Sequence, residues 1–160
     1  MLYSREDDID DVRKMLGFFA QMKAVNKEFF FDFQIDEGGH IKNIFWCNAS
    51  CRGAYQDFGD AMTFDTTYRT NKYMMPLGVF VGVNNHLQST IFGCALIRDE
   101  SEGSFAWLFR TFLICHNQKQ PTVILTGSST SILKQFQFHL ISSSIFLLNS
   151  NSSYAFLRIF

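Results

Sequence analysis

The sequence predicts an α/β domain with a mixed sheet: three antiparallel strands, then a helix, then a strand returning parallel to the first. Three observations carry this. AMTFD (61–65), MPLGVFVGVN (75–84) and STIFGCALI (89–97) are closely spaced β-rich runs, which favours a meander. SEGSFAWLFRTFLICH (101–116) puts Phe105, Leu108, Phe109, Phe112 and Leu113 on one helix face. TVILT (122–126) follows Pro121 as another strand, and a helix crossover lays it parallel to a strand of the meander, most simply the first.

The elements before this core are also legible. Between Ser4 and Asn26, Ile9, Val12, Leu16, Phe19 and Met22 recur every three or four positions, the pattern of an amphipathic helix packing on a core. Ser4 suits its N-cap, and Glu6, Asp7 and Asp8 suit the positive end of its dipole. FFFDFQID and IKNIFWCN flank Glu-Gly-Gly-His and read as a β-hairpin. ASCRGAYQD (49–57) reads as a short helix or loop. The turn joining the second and third meander strands falls at Asn84, Asn85 and His86.

Composition narrows the function classes. Nineteen Phe in 160 residues point to a core built on aromatic packing. A formal net charge of -1 favours neither a nucleic-acid nor a membrane surface. All fifteen acidic residues lie between Glu6 and Glu102, so the last 58 residues are a different kind of sequence. The N-terminal MLYSREDDIDD is acidic where a secretory leader is basic and then apolar. No apolar run approaches the roughly 20 residues of a membrane-spanning helix. The expectation is a soluble intracellular protein with reduced cysteines at 47, 51, 94 and 115. Cys47 and Cys51 have a spacing compatible with zinc, but the histidines look scattered and no second close pair stands out. Buried thiols are the preferred reading.

The residues that bear on chemistry lie in FGDAMTFDTTYRTNKY (58–73). If the strands ending at Asp65 and Thr126 lie side by side and parallel, a carboxylate at each end would meet at the spacing that clamps divalent cations for phosphoryl transfer. The first position is Asp65 and the second is Gly127, which offers no side-chain ligand. Topology alone leaves Asp65 equally a metal ligand or a strand-end carboxylate capping the turn at Thr66 and Thr67. Arg69 and Lys72 suit phosphate contacts or a solvated loop face. Asp60 reads as structural, Trp107 as helix core, and Asp99 to Glu102 as a helix-cap signal.

FGDAMTFDTTYRTNKY, MPLGVFVGVNNHLQSTIFGCALIRDESEGSFAWLFRTFL (75–113) and PTVILT (121–126) resemble the transposase domain of Mutator-like elements. They are most similar to the plant far-red impaired response family of transposase-derived transcription regulators. The resemblance implies a ribonuclease H-like fold with an Asp-Asp-Glu metal triad in active ancestors, using Mg²⁺ or Mn²⁺. Asp65 matches the first carboxylate and is expected to be a vestigial metal ligand. The family carries Thr-Asp-Gln after the strand that here continues Thr126-Gly127-Ser128, and beyond Glu102 no acid remains to supply the third carboxylate.

The expected organisation is a helix and hairpin over 1–57, the first half of a ribonuclease H-like domain over 58–126, and an aberrant Ser/Phe-rich tail over 127–160. Function is expected to be non-catalytic, nuclear and regulatory, in light-controlled development. DNA, regulator partners and a homo- or heterodimer are implied, without a membrane. No cofactor is expected in this chain, zinc belonging to modules of longer family members. The alternative is a Mutator-type DNA transposase or a decayed relic, whose unpaired parallel strand would aggregate.

Overall fold

The computed structural model describes residues 5–67, 73–127, 144–148 and 155–157. Its elements are α1 (Arg5–Val25), β1 (Phe30–Ile35), β2 (Ile41–Cys47), α2 (Ala49–Phe58), β3 (Ala61–Thr67), β4 (Leu77–Val83), β5 (Ser89–Ile97), α3 (Glu102–Cys115), β6 (Val123–Gly127), β7 (Ser144–Leu148) and β8 (Ala155–Leu157). The strands form one eight-stranded mixed sheet in the order β1-β2-β5-β4-β3-β6-β7-β8. The predicted centre is present: β3, β4 and β5 pair antiparallel, and β6 returns parallel to β3.

Two features extend the sheet beyond the prediction. The β1–β2 hairpin is continuous with it, because β2 pairs antiparallel with β5. Buried Asn43 reinforces that junction. Its amide donates to Gln34 Oε1 at 2.8 Å and Ser104 Oγ at 3.4 Å, and its Oδ1 accepts from Arg98 N at 3.1 Å. At the other side, β6 is not left unpaired, correcting the premise of the relic reading. β7 pairs with it in parallel, and β8 closes antiparallel on β7.

The phenylalanines make the core, as their number predicts. Phe45, Phe64, Phe80, Phe92, Phe105, Phe109 and Phe112 are all buried, α3 supplying the last three. Phe80 stacks on Phe112 at 4.2 Å between ring centroids, and Phe64 meets Phe80 at 4.7 Å and Phe109 at 5.3 Å. Each fully buried ring contributes about 1.5–3 kcal/mol, so this face dominates stability. Glycines inside the strands make room for it. A Cβ on Gly82 would lie 2.2 Å from the Phe92 ring, and one on Gly93 would lie 2.8 Å from Phe45.

A smaller cluster of Phe19, Phe29 and Ile44 forms where Met15, Leu16 and Met22 of α1 pack with Phe31 and Trp46. Helix α3 starts where the sequence signals it: Ser101 Oγ accepts from Ser104 N at 3.2 Å. The proposed Ser4 cap lies outside the described residues. Among the described residues, no helix is long and apolar enough to cross a membrane.

Candidate functional site

The sheet juxtaposes the two positions that the sequence singled out. β3 and β6 run parallel in the register Ala61↔Val123 to Phe64↔Thr126. One step further along that register sets Asp65 level with Gly127. Asp65 is exposed, and its Oδ1 accepts from Thr66 N at 2.8 Å, so the carboxylate caps the backbone locally. Thr66 Oγ1 donates to Glu100 Oε1 at 2.6 Å, which draws Glu100 to this end of β3. Successive side chains on a strand point to opposite faces, so Glu100 meets the face away from Asp65. Among the described residues, Asp65 belongs to no group of three converging metal-ligating side chains.

The neighbouring residues take the roles expected of them. The Asp60 carbonyl accepts from Thr122 N and Val123 N at 2.8 and 2.9 Å, starting β6. Asp99 Oδ1 accepts from Ser104 Oγ at 2.7 Å and Ser101 N at 3.1 Å. The Ser101 hydroxyl first, then these two bonds, hold its carboxyl below the usual range. His86 is exposed, in a turn where Asn84 Oδ1 accepts from His86 N and Gln88 N and Leu87 takes the left-handed conformation. Trp107 packs half-buried against the main core. Arg69 and Lys72 lie outside the described residues.

A second constellation forms at the opposite end of α3, where one of the histidines read as scattered joins two of the buried thiols. Cys47 closes β2, Cys51 sits in the first turn of α2, and Cys115 and His116 close α3. The Sγ atoms of Cys47 and Cys115 and one ring nitrogen of His116 lie within 4.8 Å of one another, all three residues being buried. Cys51 is half-buried, four residues past Cys47 across the β2–α2 junction.

Local structure explains the convergence. α3 ends sharply because Asn117 and Gln118 adopt left-handed backbone with φ of 54° and 62°, and Gln118 N donates back to Leu113 O at 2.8 Å. This fixes Cys115 and His116 at the helix end. The end of β2 then places Cys47 against them. The carbonyl of Phe92 on β5 ties the group together, accepting from Cys47 Sγ at 3.0 Å and lying 3.1 Å from His116 Nε2. A carbonyl only accepts, so Nε2 carries the proton and Nδ1 has the free lone pair. Tyr55 and Phe112 pack on the imidazole, with ring centroids at 4.1 and 4.5 Å.

The electrostatics follow from burial and the shared thiol protons. Hydrogen bonds to Cys115 and Cys51, with burial, push the Cys47 thiol far above its ordinary value. The same Cys47 bond pulls Cys51 down to about 6. Burial lowers His116 to about 4, leaving it neutral, and the Arg52 and Lys119 charges act in the same direction. Arg52 Nε donates to Cys115 O at 3.0 Å.

The sequence held one unused signal for this cluster: Cys115 and His116 are adjacent and so form the second close pair. Nothing in the spacing shows that α3 brings them to Cys47.

With these geometries in place, comparison with known proteins places the chain. The MULE transposase domain family matches residues 61–153, a span that begins with β3 and continues past Gly127. The chain belongs to the FAR1-related, MULE-derived family. It is similar to Protein FAR1-RELATED SEQUENCE 5 of Arabidopsis thaliana, 40% identical over 133 residues, covering 82% of this chain and 17% of that protein. Protein FAR-RED IMPAIRED RESPONSE 1, also of Arabidopsis thaliana, is 37% identical over 123 residues, or 77% of this chain and 15% of the relative. Protein FAR1-RELATED SEQUENCE 9 from the same plant is 41% identical over 120 residues, or 74% and 21%. The chain thus spans about a sixth of the first two relatives. No solved structure matches it.

Proposed function

We propose that this FAR1-family chain is a non-catalytic, transposase-derived domain of ribonuclease H-like fold that serves nuclear transcription regulation as a scaffold or dimerisation unit. The fold reading is supported by the strand order β5-β4-β3-β6-β7, three antiparallel strands continued by two parallel ones around β3. The non-catalytic reading is carried by one observation: the register that sets Asp65 level with a β6 residue meets Gly127 there. Two-metal phosphoryl transfer needs several anionic oxygens to hold the cations and neutralise developing charge. One exposed carboxylate holds a hydrated ion only weakly. Asp65 is then a vestigial ligand retained as a backbone cap. DNA contact, where it occurs, falls to cations such as Arg69 and Lys72 at phosphates or to other parts of a longer protein.

Incubating the purified chain with duplex DNA and Mg²⁺ or Mn²⁺ tests the catalytic half. No strand cleavage is expected, with Asp65→Asn indistinguishable from the parent. Metal-dependent cleavage lost in Asp65→Asn would restore the competing reading, an active Mutator-type transposase. The regulatory half is tested by tethering the chain to a reporter promoter in plant nuclei. A change in reporter output supports it, and an output equal to the tether alone removes it.

A further inference from the structure

We infer that Cys47, Cys51, Cys115 and His116 form a Cys₃His site for one tetrahedral, thiophilic divalent cation of the zinc class, buried between β2, α2 and α3. The site is independent of the carboxylate at Asp65 and of the proposed regulatory role. Thiolate and imidazole donors in this ratio match structural zinc centres, and the Cys47–Cys51 spacing falls within the usual range for a first ligand pair. Cys115 and His116 supply the second pair.

The geometry is close to what a metal needs. Zinc–sulfur bonds of about 2.3 Å in a tetrahedron place the donor atoms roughly 3.7 Å apart. The Sγ atoms of Cys47 and Cys115 and one ring nitrogen of His116 already lie within 4.8 Å of one another, so a contraction of about 1 Å with Nδ1 facing the thiols completes their part. Cys51, half-buried in the first turn of α2 and four residues past Cys47, enters as the fourth ligand, and its half-buried side gives the ion its path in. The surroundings also fit. Phe92 O holds the Nε2–H of His116, the outer hydrogen bond that orients metal-bound imidazoles and leaves Nδ1 to coordinate. On coordination the Cys47 thiol releases its proton, giving up its bond to the same carbonyl.

Three thiolates and one divalent ion carry a net charge of -1, and the cations Arg52 and Lys119 lie beside it. The aromatic wall of Tyr55 and Phe112 excludes water from the inner side. Fixed between a strand and two helices, such an ion would cross-link β2, α2 and α3.

The test uses the whole 160-residue chain, reduced, freed of metal and titrated with Co²⁺. The expected result is one Co²⁺ per chain, with the thiolate charge-transfer and visible bands of tetrahedral cobalt, displaced by Zn²⁺. Cys94→Ser should keep that spectrum, because Cys94 is not among the proposed ligands. Cys115→Ser should lose it while keeping the parent's far-ultraviolet circular dichroism. If Cys115→Ser does not fold, half-buried Cys51→Ser gives the readout. It should lose at least the roughly tenfold in Co²⁺ affinity that removing even an outer-shell group costs, with weaker charge transfer. Uptake below stoichiometric, an octahedral spectrum, or a tetrahedral spectrum unchanged in Cys51→Ser and Cys115→Ser would overturn the site.

Discussion

The two ends of α3 offer opposite answers to what makes a metal site. Beyond its N-terminal end, on the other face of β3, stands Asp65, a residue of the right type in a recognisable motif, exposed and level with a glycine. At its C-terminal end, Cys47, Cys115 and His116 converge in the core, with half-buried Cys51 of α2 as the proposed fourth member, without a recognised motif. The first has the pedigree but, among the described residues, no converging donors. The second has the donors, the burial and the oriented imidazole. The contrast teaches that convergence, which is tertiary, decides a site more than residue type, which is local.

If the thiol–imidazole corner is framed by the aromatic core, breaking the frame should have the largest effect. Phe112 stacks on Phe80 at 4.2 Å and reaches Tyr55 at 5.0 Å and His116 at 4.5 Å. Phe112→Ala should cost about 3–5 kcal/mol in urea unfolding of the metal-free chain. It should also make Cys115 reactive to a maleimide in the folded state. A cost below about 1 kcal/mol, far under the range for such truncations, would show that the corner stands without its aromatic wall.

A subtler change reaches the corner from the sheet. Gly82 leaves space for the ring of Phe92, whose carbonyl is the shared acceptor of Cys47 and His116. Gly82→Ala should force the ring aside and cost about 1–3 kcal/mol by overpacking. Co²⁺ affinity should fall with it, while Phe64 and the Asp65 end of β3 keep their amide exchange rates. Equal disturbance of both ends would show that they are one cooperative unit.

How far each corner was legible in the sequence follows from the same contrast. β5 runs Ser89–Ile97, the bounds read from alternation and turn signals, and α3 departs by a residue at each end. Short connections imply the meander, and the helix crossover implies β6 beside β3, the arrangement that sets Asp65 level with Gly127. All of that rests on local periodicity and on chain connectivity. The junction of β2 with β5, the addition of β7 to β6, and the meeting of Cys47 with Cys115 depend on contacts between distant segments, which no local pattern encodes.

Removing a single hydroxyl sharpens the comparison further. Tyr55 donates from its hydroxyl to Lys119 O at 3.0 Å, tying α2 to the chain that leaves α3. Its ring, which packs on His116, survives in Tyr55→Phe. The loss should be about 0.5–1.5 kcal/mol, the worth of one net hydrogen bond, with Co²⁺ stoichiometry unchanged. A loss of stoichiometry would mean that the Lys119 link, more than the ring, aligns the two helices.

The smallest effect belongs to the residue with the strongest sequence signal. Asp65→Asn keeps the side-chain oxygen that accepts from Thr66 N and removes only charge, at an exposed position. Exposed substitutions away from special contacts usually shift stability by no more than about 0.5 kcal/mol. Unfolding of the variant should therefore match the parent within that margin, and its Co²⁺ binding should be identical. A larger change in stability that depends on Mg²⁺ or Mn²⁺ would mean that Asp65 still holds a cation with donors beyond the described residues. In that event the two ends of α3 would differ in which ion they take, and no longer in whether they take one.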